Sequence, residues 1–448
     1  MEAAVAAFRE RLARPWLESA AQERVRACFE ARLAELVARS EGESPPAVLL
    51  AESEPEAFLG GLLAAVAAGA PVFLANPAWR ENEWAQVAAQ LKPALTWGEA
   101  ELPPGADAES AALPGPDLRP FVGHILIPTG GTGGRVRFAT HTWETLGAAV
   151  AGYAAFFRVQ PVHAWCVLPL WHVSGLMQAV RTFETGGRLA LGDYREQAAS
   201  APGMPGREAF HLSLVPTQLG RVLAREGGAD WLRSFGLILL GGAALPEDLQ
   251  AAARASGLRV AGSYGMTETA AMVAVQRPAD FLAGEPLAGE VFPHAQVTVE
   301  DGEIAIRAAS LFRGYYPELP AERAEFRPGD EGLLDEKGRL RVSGRRDRLI
   351  ISGGEKIDPL EVEAVIRRLA PGAEALVAGE PDPDWGQRVV ALMAGVDEAG
   401  LQTLTDALRG HLQPAHLPKR WIRVKTLPLK PNGKLDRVRL AQLLETAS

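Results

Sequence analysis

The chain predicts an α/β architecture of parallel-rich sheets covered on both faces by helices, and three features carry that prediction. Short apolar runs bounded by Pro or Gly, such as PVFLANP from Pro71, read as inner strands. They alternate with stretches of helical periodicity, the order that builds parallel sheets. From about Gly289 the texture changes to alternating hairpins, which adds a small β-subdomain, and the residues after Arg345 mix short strands with amphipathic helices. The expected division is a large N-terminal domain over 1–345 and a small α+β domain over 346–448.

The elements follow in order. From Glu2 to about Ser40 the Ala/Arg/Glu-rich sequence predicts one or two amphipathic helices. Residues 57–68 are small and apolar all round, which suits a buried helix. ENEWAQVAAQLKP reads as a helix ending before Pro93, and ALTWG as a strand. After Pro120, GHILIP is a strand, TGGTGG a turn and THTWETLGAAVAGYAAFF a helix. WCVLPL, HLSLVP, GLILLGG and RVAGSYG are further strands. Asp301-Gly302 and Lys337-Gly338 mark two hairpins. Asp358 reads as an N-cap before Pro359 at the first helical position.

Composition narrows the function classes. With 448 residues, 47% hydrophobic and 23% charged, the chain is long enough for a core without staples. Two cysteines, Cys28 and Cys166, make neither a disulfide framework nor a metal-ligand spacing, so a reducing cytoplasm is the expected setting. The N-terminus lacks the pattern of a signal peptide. The most apolar stretch, from Leu62, is broken by Gly69 and Pro71 and is too short for an integral membrane segment. A net charge of −9 argues against nucleic acid as a partner.

Four constellations carry chemistry. TGGTGGRVR, from Thr129, lies between a strand and a helix, where Gly-freed N–H groups, threonine hydroxyls and arginines suit an anion. It is no Walker A loop, and alone it reads equally as a tight turn. SYGMTE, Ser263 to Glu268, brings a ring, a hydroxyl and a carboxylate to the carboxyl edge of a predicted parallel sheet, where ligands bind; by itself it is also an ordinary surface turn. GRRDRLIISGGEKIDPLEVE, from Gly344, joins a charged cluster to a strand and a Gly-Gly turn, a pattern that a solvated linker shares. LPLKPNGKLDR, Leu427 to Arg437, places Lys434 after Asn-Gly, on what is otherwise a hairpin tip.

Together, in this order from about Thr129 to the C-terminus, the four motifs resemble the adenylate-forming superfamily of acyl-CoA synthetases, luciferases and non-ribosomal adenylation domains. The resemblance implies ATP and Mg²⁺ as cofactors, coenzyme A as co-substrate, a small-molecule carboxylic acid as partner, and a mobile C-terminal domain that carries a catalytic lysine. A homodimer is possible by the same resemblance. Thr129, Gly130, Gly131, Thr132, Gly133, Gly134 and Arg135 would embrace the β- and γ-phosphates. His172, in LPLWHVSG, would lie beside the acyl pocket, and Gly242 and Ala243, in GGAALP, would line adenine. Tyr264 would stack on adenine, Gly265 would face nucleotide and acid, Thr267 would contact the α-phosphate and Glu268 would hold Mg²⁺. Asp330 and Arg345 would hold the ribose hydroxyls. Asp347 stands at the hinge, Gly353 and Gly354 would line the thiol tunnel, and Lys434 would bridge carboxylate and α-phosphate. Where the family's loop reads Pro-Lys-Gly, this chain has Val136, Arg137 and Phe138, so no role can rest on a loop lysine.

TGGTGGRVRFATHTW, LPLWHVSGLMQ and LSLVPTQL look like the 2-succinylbenzoate–CoA ligases of menaquinone and phylloquinone biosynthesis. In that reading Ser213, Pro216 and Thr217 sit near the aromatic acid, and a second carboxylate requires a cation. Arg181 and Arg221 are available, although ordinary burial statistics make both surface residues; His211 and His172 are further donors, although a lone His is more often structural. The alternatives are a CoA ligase for another aromatic or short acid, a stand-alone adenylation module loading a carrier protein, and a non-catalytic nucleotide binder. No carrier serine motif follows Lys434.

Overall fold

The computed structural model describes residues 1–40, 44–102, 117–130, 136–193, 206–243, 245–345, 350–352, 355–382, 386–412, 414–430 and 435–446. They fall into two compact units, Met1–Gly242 with Ala252–Gln296 and Ile306–Phe326, and Ala243–Ala251 with Val297–Ala305 and Arg327–Ser448.

In the first unit the N-terminal stretch forms α1 (Glu2–Ala13) and α2 (Ser19–Arg39). Val25, Phe29, Leu33 and Leu36 make the buried stripe of α2 at helical spacing. The all-apolar segment becomes α3 (Pro55–Ala68), started by Pro and ended by Gly69 in the left-handed region. Then α4 (Glu81–Gln90) follows as expected.

One sheet takes β1 (Val48–Ala51), β2 (Val72–Leu74), β3 (Leu95–Gly98), β4 (His124–Gly130), β5 (Val136–Thr142) and the short Tyr315–Tyr316 (β15) in the order β15-β5-β4-β2-β1-β3. Its inner strands are parallel; β5 runs antiparallel to β4 and β15. Val48 and Leu50 enter one core and Leu49 and Ala51 the other, so burial on both faces explains the uninterrupted apolar run. The structure differs from the sequence expectation at β5. Residues 140–142, assigned above to a helix, extend the hairpin with β4, and α5 (Trp143–Phe157) begins one residue later. Thr142 is the switch: its hydroxyl accepts from Thr145 N at 3.2 Å as an N-cap.

A second sheet has the order β12-β11-β10-β9-β8-β6-β7. It comprises β6 (His163–Cys166), β7 (Leu189–Leu191), β8 (Phe210–Leu214), β9 (Leu237–Leu240), β10 (Val260–Met266), β11 (Ala271–Val275) and β12 (Glu290–Val291). The strands from β7 to β10 pair in parallel, and β11 turns back antiparallel on β10. Helix α6 (Val173–Thr185) joins α5 in the main core.

The second unit holds the hairpin devices. Asp301 and Gly302 both have positive φ, 50° and 80°, as a tight primed turn requires between β13 (Ala295–Glu300) and β14 (Glu303–Ala308). Strands β16 (Asp330–Leu334) and β17 (Leu340–Arg345) form the next hairpin. A last sheet is built from β18 (Ile350–Ser352), β19 (Glu355–Ile357), β20 (Glu374–Asp382), β21 (Gly386–Ala394) and β22 (Arg420–Arg423). Helices Pro359–Leu369 and Glu398–Leu408 cover it through Val362, Ile366, Leu404 and Leu408. Asp358 caps the first of them, accepting from Leu360 N at 2.8 Å. Among the described residues no helix is long and apolar enough to cross a membrane.

Candidate active site

The site grows from the carboxyl end of β10. A bulge between Tyr264 and Gly265 breaks the ladder with β11. Only glycine fits the second position, because a Cβ there would stand 2.0 Å from Ala271 O. Residues Thr267–Thr269 then form a single 3₁₀ turn, and Ala270 and Ala271 leave it at φ 51° and 81°. Left-handed backbone at two consecutive alanines costs energy and persists only where the surroundings impose it. Here three successive carbonyls are held from outside the turn. His141 Nε2 donates to Thr267 O at 2.8 Å, Phe312 N to Glu268 O at 2.9 Å, and Ser310 Oγ to Thr269 O at 2.9 Å. A carbonyl only accepts, so His141 carries its proton on Nε2, and Nδ1 takes the Thr145 hydroxyl at 3.0 Å. Burial pushes its pKa down to about 4, consistent with a neutral ring.

Glu268 is only 6% exposed, and its Oε1 accepts from Tyr315 Oη at 2.6 Å. The Arg137 guanidinium lies 4.2 Å from the Tyr315 ring centroid. Arg137 pairs with Thr129 at the base of the β4–β5 hairpin, and Gly130 pairs with Val136. Gln86 Oε1 and Gln90 Nε2 bind Val136 N and O at 2.8 and 3.0 Å, which pins this end of the loop to α4. On β10 itself, Ser263 Oγ donates to Leu240 O of β9 at 2.9 Å. It leaves no room for a side chain at Gly241, whose Cβ would be 2.6 Å from that oxygen.

Arg181 corrects the sequence expectation. It is 4% exposed rather than a surface residue, whereas Arg221 is exposed. Its guanidinium lies 4.3 Å from the Tyr153 ring centroid, and Tyr153 Oη shares a hydrogen bond with His211 Nδ1 at 2.6 Å. Neither Arg181 Nε nor either ring nitrogen of His294 has a hydrogen-bond partner among the described residues. Burial lowers the Arg181 pKa, and among the described residues the group that favours its charge is Tyr153. Ser213 lies two residues from His211 on β8, on the same face, and is buried; Pro216 starts the next helix, buried, with Thr217 exposed beside it. His172 stands at the N-cap position of α6, without a side-chain capping bond, nine residues before Arg181.

Burial first, and the Arg181 charge second, hold His211 and His294 near pKa 4 instead of 6.5; His163 and Arg259 also act on His211. Between these values the unfolded chain binds protons that the folded chain refuses. Stability is therefore complete above pH 6.5 and falls as the pH drops toward 4. Urea unfolding at pH 5 should show a loss of up to about 2 kcal/mol for each ring relative to pH 7.5. The variant His294→Gln should remove its share of that dependence and leave that of His211, and an equally steep profile would refute the assignment.

In the second unit, the register of β16 and β17 sets Asp330 opposite Arg345, and Asp330 is 7% exposed. Ala243 also belongs to this unit and Gly242 to the first. Gly131, Thr132, Gly133, Gly134, Arg135, Asp347, Gly353, Gly354 and Lys434 lie outside the described residues. Leu429 and Leu435 bridge antiparallel on either side of the segment that contains Lys434. The sequence reading did not single out Tyr315, Phe312 or Ser310; a Tyr-Tyr pair after Gly314 is the sole local signal for the first.

Comparison with known proteins adds the family. Residues 96–316 match the AMP-binding enzyme model and residues 361–434 the AMP-binding enzyme C-terminal domain. The 2-succinylbenzoate–CoA ligase of Salmonella typhimurium is 34% identical over 323 residues, 70% of this chain and 67% of that protein. The Escherichia coli 2-succinylbenzoate–CoA ligase is 33% identical, over 71% of this chain and 68% of that protein. The fold is that of o-succinylbenzoate CoA synthetase (MenE) from Bacillus subtilis in complex with the acyl-adenylate intermediate OSB-AMP, with a TM-score of 0.78 at 23% identity over 93% of this chain and 92% of that one. An Arg-to-Lys variant of E. coli MenE with bound OSB-AMS superposes with a TM-score of 0.74 at 26% identity, covering 94% and 92%. The chain belongs to the AMP-binding enzyme family and, within it, to the adenylate-forming CoA ligases.

Proposed function

We propose that this protein activates 2-succinylbenzoate with ATP and transfers it to coenzyme A, the ligase step of menaquinone or phylloquinone biosynthesis. Kinship with ligases of that name supports the acid, and the buried Arg181 is the structural observation that carries it. A buried charge is costly without a counter-charge. An acid with two carboxylates, one activated and one left over, supplies that counter-charge, and Tyr153, His211 and His294 surround the same spot with further polar atoms.

In the first half-reaction a carboxylate oxygen attacks the α-phosphorus, and the bond to the β-phosphate breaks to release pyrophosphate. In the second, the CoA sulfur adds to the acyl carbon, the thiol proton passes to solvent and AMP leaves. Thr129, Gly130 and the following loop through Arg135 embrace the phosphates; Tyr264, Gly265, Gly242 and Ala243 enclose adenine; Thr267 meets the α-phosphate. Asp330 and Arg345 hold the ribose, His172, Ser213, Pro216 and Thr217 border the acid, and Lys434 bridges both reactants. Glu268 suits Mg²⁺ because the ion typically takes one or two carboxylates and completes its shell with phosphates and water. Bound there, the ion would offset charge on the transferring phosphoryl group. We place the boundary of the moving C-terminal domain at 345/346, with Asp347 as hinge and Gly353 and Gly354 against the thiol arm. Two free cysteines favour the cytoplasm.

The deciding experiment is pyrophosphate release over a panel of acids with and without CoA, followed by mass analysis of the thioester. Turnover of 2-succinylbenzoate to its CoA thioester is expected. Activity on benzoate or acetate with none on 2-succinylbenzoate would overturn the acid, and pyrophosphate release without a CoA product would favour a carrier-loading module.

A further inference from the structure

We infer that Tyr315 is a positioning residue for the Glu268 carboxylate and sets its orientation toward the divalent cation of the nucleotide. The inference deepens the reading of Glu268 given above and rests on it. A carboxylate on a flexible side chain meets a small, geometrically demanding ion poorly unless something fixes its rotamer. Glu268 is nearly closed off from water, so the Tyr315 hydroxyl at 2.6 Å is a strong, charge-assisted anchor on Oε1. It leaves Oε2 as the oxygen that can turn to a cation.

Tyr315 is itself immobilised from three directions. Its backbone pairs with Ala139 of β5, its ring packs against Phe312 with centroids 4.8 Å apart, and Arg137 covers the ring at 4.2 Å. Phe312 is also the residue whose N–H holds Glu268 O. One short segment, 310–315, therefore fixes both the main chain and the carboxylate of Glu268. Arg137 stands at the base of the phosphate-loop hairpin, where relatives of the superfamily were expected to carry lysine. Its guanidinium is laid on Tyr315, which couples the loop to the cation carboxylate through one ring. A cation over the ring withdraws electron density and strengthens the hydroxyl as a donor.

The test is Tyr315→Phe, which keeps the ring, its packing and the Arg137 contact and deletes only Oη. Without any acid present, so that no turnover occurs, Mn²⁺ binding to the protein with a non-hydrolysable ATP analogue is followed by electron paramagnetic resonance. AMP affinity is measured in parallel by calorimetry. Mn²⁺ binding should weaken roughly tenfold while AMP affinity is unchanged. Glu268→Gln is the reference and should weaken Mn²⁺ at least as much. If Glu268→Gln weakens Mn²⁺ and Tyr315→Phe does not, the role of Tyr315 is wrong and that of Glu268 stands. If neither does, the reading of Glu268 falls and takes this inference with it. Loss of AMP affinity in Tyr315→Phe would make the tyrosine merely structural and also overturn the proposal.

Discussion

Lys434→Ala is expected to suppress acyl-adenylate formation by a factor of at least roughly 10²–10³, the cost of removing one preorganised partner of developing charge. Thioester formation from supplied acyl-AMP and CoA should continue at close to its original rate. The asymmetry follows from the two chemistries. In the first step a carboxylate approaches a polyphosphate, anion against anion, and a lysine between them offsets repulsion that grows toward the transition state. In the second the former carboxylate is the neutral carbonyl of a mixed anhydride and sulfur attacks its carbon, so a cation aimed between carboxylate and polyphosphate has less repulsion left to offset. In the sequence Asn432-Gly433 precede the lysine, and Leu429 and Leu435, one on each side of it, bridge antiparallel. The two half-reactions are assayed separately, by pyrophosphate release and by thioester appearance. Equal loss in both would remove Lys434 from this role.

How much was legible in advance depends on whether the signal was local. Strands β2, β4 and β9 announce themselves because each is a short apolar run buried along its centre and stopped by Pro, Gly or polar residues. Strand β5 did not, since THT looks like the approach to a helix; pairing with β4 decides its state, and that pairing is a long-range fact. The same division holds at the site. SYGMTE is recognisable as a motif, and Gly265 as a position needing close approach. The three groups that clamp the carbonyls of Thr267, Glu268 and Thr269 come from residues 141, 312 and 310, distant in sequence and individually unremarked. Arg181 shows the opposite failure. Burial statistics favour an exposed arginine, and only the packing of α5, α6 and β8 reveals that this one is enclosed.

That enclosure leads to the second large effect. Arg181→Met should lower kcat/KM for 2-succinylbenzoate by roughly 30-fold to several thousand-fold, the range for removing one partner of a buried charge pair. An analogue lacking the second carboxylate should be turned over nearly as before, so selectivity collapses while catalysis survives. Stability separates this from a structural role. With Tyr153 the one described group favouring its charge, the arginine is costly to bury in the empty protein, and an apolar residue of similar length should leave the thermal midpoint unchanged or raise it. Arg181→Lys keeps the charge but loses the planar fork, and it should recover only part of the selectivity because lysine binds a carboxylate as a point charge. Matching losses on the diacid and the monoacid, or a fall in the midpoint with no change in selectivity, would mean that Arg181 supports the fold and that another group receives the second carboxylate. His294 would then be the next residue to test, since both its ring nitrogens are buried without a partner beside the same guanidinium.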